Sequence, residues 1–417
     1  MNGEAAGDFV CHPRVVSRAL KRSALVDPFL CSRYSFSPYM ACGHACRYCD
    51  GRSEKYWVEG DFGRDIVVRS NIVALLQDEI PRLRERAPVA VGSGISDAYQ
   101  PIEESQRIMQ QCALCLADSG LPASVLTKSA LVMRDIDSWD RVNRSSGFVL
   151  NLSIATLDDA VRRRFEPRAS SIDERLDTIR AFRCRGIPVG VMAMPLLPFL
   201  SDSEADITAL VSTLKDAGVA FVMGAGLTLR PGRQKDLFLS SLADWYPDLL
   251  PRYRQLYSEE RLSGAATTEY RRELQRRVDG ACRSVGVPPL LPHALYRGRL
   301  PLYDELYLLL QHMGELYAAR GVPTAALKAA RQRYSEWLLR RKKAFNRKRS
   351  QSPGGIEEEV HGALRLEDGG TLLGNARLAA FLRRVAFEKE VLDYTTLTLC
   401  ASADAPRLPA PVPRRYI

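Results

Sequence analysis

Short apolar segments alternate with amphipathic helical segments between residues 34 and 223 of the chain. Six strand–helix alternations over about 190 residues favour parallel strands joined by right-handed crossovers. A closed barrel of eight such units usually needs about 250 residues, so the pattern predicts an α/β fold with a partial, open (β/α)6 TIM-like barrel. The predicted strands are Tyr34–Pro38, Val89–Gly92, Ser124–Thr127, Gly147–Ile154, Ile187–Met194 and Val219–Met223.

The pattern changes on either side of this region. Beyond residue 226 the apolar residues recur with helical spacing, which predicts a mostly helical C-terminal extension. Residues 350–375 are rich in Ser, Gly and Glu and predict a loop or weak hairpin, and the proline-rich end of the chain, 401–417, predicts an extended tail. We therefore predict an irregular lead-in at 1–33, the partial barrel at 34–230, the helical extension at 231–349, and a loop or hairpin, a helix and the tail at 350–417.

Composition excludes several classes of protein. The N-terminus carries early acidic residues and no apolar core, unlike a secretory signal. The apolar run at 187–200 is broken by prolines and is shorter than the roughly 20 residues of a membrane-spanning helix. Ten cysteines in 417 residues are too sparse for a disulfide framework. We expect a cytoplasmic protein without membrane segments.

Three cysteines, Cys42, Cys46 and Cys49, follow the first predicted strand, three and then two residues apart. Their position after a barrel strand places them at the functional edge of the predicted fold. A closed structural zinc site needs four protein ligands, and His44 or Cys31 would have to supply the fourth. The alternative to zinc is an iron–sulfur cluster that keeps one iron open. With zinc, the chain would be a zinc-stabilised nucleic-acid-binding module without catalytic activity.

The cysteine spacing, with Tyr48 directly before the third cysteine, resembles the signature of radical S-adenosylmethionine (SAM) enzymes. The resemblance implies a [4Fe–4S] cluster whose open iron binds S-adenosyl-L-methionine. It further implies reductive cleavage of that cofactor to a 5′-deoxyadenosyl radical, which abstracts hydrogen from a substrate. Reduced flavodoxin or ferredoxin would supply the electron.

A closer resemblance covers about residues 25–225 and points to the spore photoproduct lyase-like branch of that superfamily, which contains DNA-repair lyases. Seven segments carry it: Ser37-Pro38-Tyr39, Cys42-Gly43-His44, Ser96-Asp97-Ala98-Tyr99-Gln100-Pro101-Ile102-Glu103, Thr127-Lys128-Ser129, Ser153-Ile154, Glu166-Pro167 and Pro195-Leu196-Leu197-Pro198.

The same resemblance implies roles for polar residues at successive strand ends. Tyr48 would lie near the adenine of the cofactor. Ser96 and Asp97 would bind its ammonium group, because a carboxylate suits a cation. Lys128 would meet its carboxylate, and Ser153 would hydrogen-bond the same end. For each residue the alternative is a polar strand end satisfied within the fold.

Two positions depart from the repair lyases. Those enzymes carry a hydrogen-donating cysteine two residues before the Ser-Asp pair, where this chain has Gly94. They also tend to have a tyrosine after the third cluster cysteine, where this chain has Asp50. A lyase-like reaction that uses this cysteine is therefore not expected, and the substrate and the oligomeric state stay open.

Most of the formal charge of +10 lies in one segment, Lys328–Arg349. Its cations are interleaved with Tyr334, Trp337 and Phe345, which is typical of segments that follow a phosphate backbone and stack on bases. Together with the resemblance to the branch that contains DNA-repair lyases, this segment makes a nucleic acid the candidate substrate. The alternative is a solvated helix whose aromatic residues pack inward. Arg162, Arg163 and Arg164 would add a second basic patch or form an exposed helix start. Cys112 and Cys115 fall on one helical face and are expected to be buried.

Overall fold

The computed structural model describes residues 9–92, 94–347 and 354–402. The strands are β1 Val10–Arg14, β2 Lys21–Asp27, β3 Ser32–Phe36, β4 Tyr39–Met40, β5 Asp65–Arg69, β6 Val89–Val91, β7 Ala123–Thr127, β8 Phe148–Ser153, β9 Val189–Leu196, β10 Phe221–Gly226, β11 Glu390–Leu392 and β12 Leu399–Ala401. The helices are α1 Ile72–Glu79, α2 Glu103–Gln106, α3 Ile108–Ser119, α4 Ile136–Ser145, α5 Asp159–Phe165, α6 Ile172–Cys184, α7 Glu204–Asp216, α8 Arg233–Trp245, α9 Leu250–Leu256, α10 Thr268–Val285, α11 His293–Tyr296, α12 Leu302–Ala319, α13 Ala325–Arg347, α14 Gly354–Arg365, α15 Gly370–Leu373 and α16 Ala376–Phe387.

One sheet organises the fold. Its strand order is β10-β9-β8-β7-β6-β3-β2, and the six strands from β3 to β10 in this sheet pair in parallel. Every residue of β8 is buried, as expected of a central strand covered on both faces. The predicted α/β partial barrel with a mostly helical C-terminal region is confirmed. Among the described residues no helix is long and apolar enough to cross a membrane.

The N-terminal segment is more regular than expected. The prediction of an irregular lead-in at 1–33 is wrong for β1 and β2, since β1 pairs in parallel with β5 and β2 pairs antiparallel with β3. All five residues of β1 are exposed. Because the strand buries no face, its sequence has no apolar alternation by which it could be recognised.

The segment after α13 also differs from expectation. The loop or weak hairpin predicted at 350–375 is wrong where the structure describes it, because α14 and α15 occupy most of this range. Ile356, Val360 and Leu364 recur every four residues and are buried, but a glycine-rich start and a run of glutamates hide this spacing. A hairpin does occur later, between β11 and β12. Almost all of the proline-rich tail lies outside the described residues.

A buried ionic cluster joins the C-terminal helices to the barrel. Lys342 of α13 donates to Glu85 Oε1 and to Asp304 Oδ2, both at 2.8 Å. Arg33 of β3 lies 3.1 Å from Glu85 Oε2. Burial favours the neutral form of Glu85, but the charges of Lys342 and Arg33 lower its pKa to about 2. Each of these charges is therefore satisfied only when α12, α13 and the barrel are packed together.

Candidate active site

A cavity of about 300 Å³ lies at the carboxyl ends of the parallel strands. Strand β7 ends at its wall with Thr127, β8 with Ser153 and β10 with Gly226. Loops at this edge form the active sites of α/β barrels. All the site residues expected from the sequence line this one cavity: Cys42, Cys46, Cys49, Tyr48, Ser96, Asp97, Lys128 and Ser153.

The loop that carries the three cysteines is tightly constrained. Ala41 and Ala45 have positive φ angles of 63° and 54°, which residues with side chains rarely adopt. A Cβ at Gly43 would lie 2.8 Å from the ring of Phe9, so a larger residue there would require this ring to move. The buried side chain of Gln100 accepts from Gly43 N at 2.5 Å and donates to Ala41 O at 3.3 Å. Gln100, a residue to which sequence reasoning gave no role, therefore fixes the loop backbone.

The three thiols reach the cavity from this loop. Cys42 and Cys46 are buried and Cys49 is half-buried. Burial raises the pKa of the Cys46 thiol to about 12, because an isolated thiolate is poorly solvated there. In the part of the chain that the structure describes, no three His, Cys, Asp or Glu side chains are gathered so as to hold a single metal ion.

The two residues that the sequence offered as a fourth zinc ligand are engaged elsewhere. His44 Nδ1 lies 3.1 Å from Arg168 O, and its Nε2 lies 3.2 Å from Asp97 Oδ2. Cys31 is buried outside the cavity lining, with its Sγ 3.8 Å from Pro28 O. Neither side chain completes a four-ligand zinc site with the loop cysteines.

Asp97 follows β6 and uses both carboxylate oxygens within the protein. Oδ1 accepts from Tyr99 N at 2.8 Å and from Thr127 Oγ1 at 2.7 Å, and Oδ2 accepts from Lys128 N at 2.7 Å. Burial raises the pKa of this carboxyl, but His44 and these hydrogen bonds lower it below the usual value. Asp97 is therefore an ionised group that ties β6 to β7 at the cavity wall.

Ser96 and Ser153 are also hydrogen-bonded to the backbone. Ser96 Oγ donates to Ala41 O at 2.9 Å, next to the first loop cysteine. Ser153 Oγ donates to Met194 O at 3.0 Å. Both hydroxyl groups keep acceptor capacity, because a hydroxyl donates one hydrogen bond and accepts up to two.

Lys128 stands at the end of β7 and reaches across to the next strand. Its Nζ donates to Ser153 Oγ at 2.5 Å and to Glu166 Oε1 at 3.1 Å, and it lies 5.5 Å from the centroid of the Tyr48 ring. A lysine ammonium has three hydrogens, so one donor remains for a ligand.

Glu166 connects several of these groups. Its carboxylate accepts from Lys128, from the hydroxyl of Tyr48 and, at 2.5 Å, from Arg175 Nη2. Burial raises the pKa of Glu166, but Arg175 and Lys128 outweigh burial and hold the pKa well below its usual value. Arg175 also donates to Ser153 O at 2.7 Å. The result is a buried network that orients Lys128 and Tyr48.

Local sequence explains how Glu166 and Arg175 come together. Asp158 caps α5 through Ala160 N, and the helix ends so that Glu166 directly follows it. A capping box between Ser171 and Glu174 begins α6, which sets Arg175 on the buried side of its first turn. Sequence reasoning quoted Glu166 only as part of a motif and missed Arg175, although an arginine on the apolar face of a helix is a usable signal.

Comparison with known proteins identifies the chain. The model of the Radical SAM superfamily matches residues 36–211. An uncharacterised protein of Mycobacterium tuberculosis is 34% identical over 251 residues, which are 59% of this chain and 72% of the relative. The chain belongs to the radical SAM superfamily. An uncharacterised protein of Methanocaldococcus jannaschii is 29% identical over 174 residues, which are 42% of this radical SAM chain and 64% of that protein.

Solved structures with the same fold include spore photoproduct lyase complexed with dinucleoside spore photoproduct. The two chains share 18% sequence identity with a TM-score of 0.50, over 66% of this chain and 79% of the lyase. At this identity the likeness supports the radical SAM partial-barrel fold and says nothing further about the reaction.

The wall of the cavity away from the polar network is apolar. Neither Cys nor Tyr occurs on it within the described part of the chain, and Gly94 has no atom within 4 Å of a Cβ built there. Asp50, the other departure from the repair lyases, accepts from Arg230 Nε and Tyr56 Oη, both at 2.6 Å. The side chains of the apolar wall are Phe29, Ile95, Leu126, Met192, Met194, Pro195 and Leu227.

The basic segment of this radical SAM chain forms helix α13, apart from Lys348 and Arg349, which lie outside the described residues. Tyr334 and Phe345 are buried and Trp337 is half-buried, so the first two cannot stack on bases. Lys342 is buried as well. These features agree with the alternative of a solvated helix whose aromatic residues pack inward.

Two further expectations concern helices of the barrel. Cys112 and Cys115 are both buried on α3, as predicted for small apolar residues. In α5, Arg162 is buried and pairs with Asp159, which removes it from the basic patch considered from the sequence.

Proposed function

We propose that this protein is a radical SAM enzyme whose cavity binds a [4Fe–4S] cluster and S-adenosyl-L-methionine. The observation that carries the proposal is the single cavity shared by Cys42, Cys46, Cys49 and the Lys128–Glu166 network. When bound, the cluster and its cofactor would supply a 5′-deoxyadenosyl radical that abstracts hydrogen from a substrate.

The donor set fits a cluster with one open iron. Three thiols from one loop can ligate three irons. His44 lines the same cavity, but its Nε2 lies 3.2 Å from Asp97 Oδ2, and among the described residues it joins no group of three side chains that could hold a single zinc ion. A cluster of four irons is larger than one ion, so its thiolates need not converge on one point.

The polar walls fit the two ends of the cofactor. The remaining hydrogen of Lys128 Nζ would bind its carboxylate, while Ser153 and Ser96 keep hydroxyl lone pairs for its ammonium group. Tyr48, held through its hydroxyl by Glu166, would offer its ring to the adenine. Since Asp97 already accepts three hydrogen bonds within the fold, we assign it the role of holding Lys128 and the β6 loop in place.

The reacting group of the substrate is proposed to be uncharged. The lining that remains after the cofactor residues are set aside is mostly apolar, with Met192, Met194 and Leu227 among its members, and it holds no lysine or arginine. Its polar members are His44, Asp50, Thr127 and Thr228, and the Asp50 carboxylate already accepts from Arg230 and Tyr56. Desolvating a charge against such a wall would be costly. The zinc-binding, non-catalytic alternative lacks a fourth ligand at the loop and has no further support.

Iron content tests the proposal. Protein purified without oxygen should be brown, absorb near ~400 nm and contain about four irons per chain. Cys42→Ala, Cys46→Ala and Cys49→Ala should each lose most of the iron, whereas Cys112→Ala, which removes a buried thiol of α3, should keep it. A colourless protein with one zinc, or equal iron in all variants, would refute the cluster.

A further inference from the structure

The cysteine loop has an outer face as well as a cavity face. Cys42, Cys46 and Cys49 line the cavity, whereas Ala45 and Arg47 do not. Both of these residues are half-buried, so part of each reaches solvent. The segment proposed to hold the cluster therefore meets solvent at this outer face.

Arginine side chains surround Ala45 on this face. Arg52 donates from Nε to Cys46 O at 2.9 Å and from Nη2 to Ala45 O at 3.0 Å. Arg168 donates from Nη1 to Gly63 O at 2.8 Å, and a Cβ on Gly63 would lie 2.8 Å from that of Ala45. Two guanidinium groups are thus anchored around the loop backbone.

Three further arginines extend this group. The backbone of Arg47 donates to Phe165 O at 2.9 Å, so Arg47 lies beside the end of α5, where Arg164 is exposed. Arg64 is exposed and directly follows Gly63. We call the five residues Arg47, Arg52, Arg64, Arg164 and Arg168 the outer arginine patch.

The positive charge of the outer arginine patch is poorly compensated. Within the described residues, none of its five guanidinium groups is in an ion pair, whereas Arg163 and Arg180 pair with carboxylates on their own helices. Arg47 Nε is buried without a hydrogen-bond partner in the same part of the chain. Asp61 and Asp65 are acids beside Arg64, and both have other partners: Asp61 Oδ1 accepts from Gly63 N at 2.7 Å, and Asp65 Oδ1 lies 3.1 Å from His12 Nε2.

The chemistry of the patch favours an acidic protein over a nucleic acid. Arg52 covers the ring of Phe62 at 5.1 Å, and Arg164 covers the ring of Tyr246 at 4.8 Å. Aromatic faces that are already covered cannot stack on bases, which single-strand binding relies on. Exposed guanidinium groups without counter-charges are suited to the carboxylates of a protein partner.

We propose that the outer arginine patch docks a small acidic electron-transfer protein, such as a flavodoxin, for one-electron reduction of the cluster. The proposal rests on the proposed function and names the partner of the same site. One electron leaves the donor and enters the cluster, and no proton or group is transferred. Redox partners commonly meet over small interfaces, and a charged patch steers such encounters.

Charge reversal of two exposed patch residues tests this docking. The reconstituted Arg64→Glu/Arg164→Glu protein is compared with wild type and with Lys328→Glu/Arg340→Glu, which carries the same charge change on α13. Binding of purified flavodoxin is measured by surface plasmon resonance at low and high salt. The patch variant should bind about tenfold more weakly than wild type at low salt, the α13 variant should bind as wild type, and the difference should shrink at high salt.

A second measurement separates docking from chemistry. Formation of 5′-deoxyadenosine is followed with reduced flavodoxin and, separately, with dithionite, which needs no docking surface. The patch variant should lose about tenfold in rate with flavodoxin and stay within about twofold with dithionite. The proposal would be overturned if the patch variant bound flavodoxin as tightly as wild type, or if the α13 variant lost as much affinity. It would also be overturned if the patch variant lost affinity only for an oligonucleotide tested in the same binding assay. If neither wild type nor either variant forms 5′-deoxyadenosine with dithionite, the proposed function fails. The comparison of flavodoxin binding still shows whether the outer arginine patch is the docking surface.

Discussion

Lys128 Nζ lies 3.1 Å from Glu166 Oε1, although the two residues are separated by 38 positions, with Lys128 following strand β7 and Glu166 following helix α5. Arg175 holds the same carboxylate at 2.5 Å from the opposite side. A lysine that is fixed in this way does not have to be ordered by its ligand, so its position in the cavity is prepared in advance.

Replacing Glu166 should therefore weaken cofactor binding without removing a cofactor contact. In Glu166→Gln the side chain keeps its size but loses the charge that orients Lys128 and Arg175. We expect about tenfold weaker binding of S-adenosylmethionine to the reconstituted protein by isothermal titration calorimetry. Asp177→Asn, the same change in an exposed ion pair of α6, is the matched control. Equal affinities for Glu166→Gln and wild type would show that the network does not position the lysine.

Asp97 is expected to matter for folding before any cofactor binds. Asp97→Asn puts an NH2 group where one carboxylate oxygen now accepts hydrogen bonds, which should lower the free energy of unfolding by about 1–3 kcal/mol. Chemical denaturation of the cluster-free protein measures this change. Asp118→Asn removes an exposed ion pair with Arg141 and should change the stability by less than about 0.5 kcal/mol. A fully stable Asp97→Asn protein would mean that the carboxylate serves the ligand alone.

Two neighbouring lysines of α13 should behave very differently. Lys342→Met removes the ion pair of buried Asp304 and one of the ion pairs of buried Glu85, which keeps Arg33, and should cost about 3–5 kcal/mol. Lys343→Met changes an exposed residue and should stay within about 0.5 kcal/mol. Thermal unfolding monitored by circular dichroism compares the two variants. Similar melting temperatures for both would contradict the buried ionic cluster.

The contribution of Glu85 should depend on pH. Its pKa in the folded protein is about 2, below its ordinary value of 4.5, so its charge stabilises the fold fully above about pH 4.5 and progressively less as the pH falls toward 2. The unfolding free energy of wild type should exceed that of Glu85→Gln by about 3 kcal/mol at neutral pH, at 1.36 kcal/mol per pKa unit. If the difference in unfolding free energy between wild type and Glu85→Gln did not shrink on acidification, the lowered pKa of Glu85 would be refuted.

The parallel sheet could be predicted because its strands are short apolar runs between amphipathic helices, and β8 is buried along its whole length. The same reasoning failed at β1, since an exposed strand leaves no pattern in the sequence. The position of the cysteine loop at the functional edge of the sheet could also be predicted, because the loop follows a predicted strand and parallel strands bring their carboxyl ends to one edge.

Contacts between distant residues were not visible in the sequence. Gln100 clamps the cysteine loop, yet it is simply a polar residue in its local context. Arg175 stands out as an arginine on the apolar face of α6, but that position does not reveal that its partner is Glu166. Lys342 looked like one cation of a basic surface, and only the packing of α13 against the barrel buries it. Such roles depend on which elements meet in space, which local periodicity does not encode.

The formation of 5′-deoxyadenosine tests the central claim most directly. Anaerobically reconstituted protein is incubated with S-adenosylmethionine and dithionite, and the products are quantified by liquid chromatography and mass spectrometry. Wild type should release 5′-deoxyadenosine and methionine in equal amounts, while Cys46→Ala should release neither and Cys112→Ala should react as wild type. Wild-type protein that contains about four irons yet forms no 5′-deoxyadenosine would contradict the account.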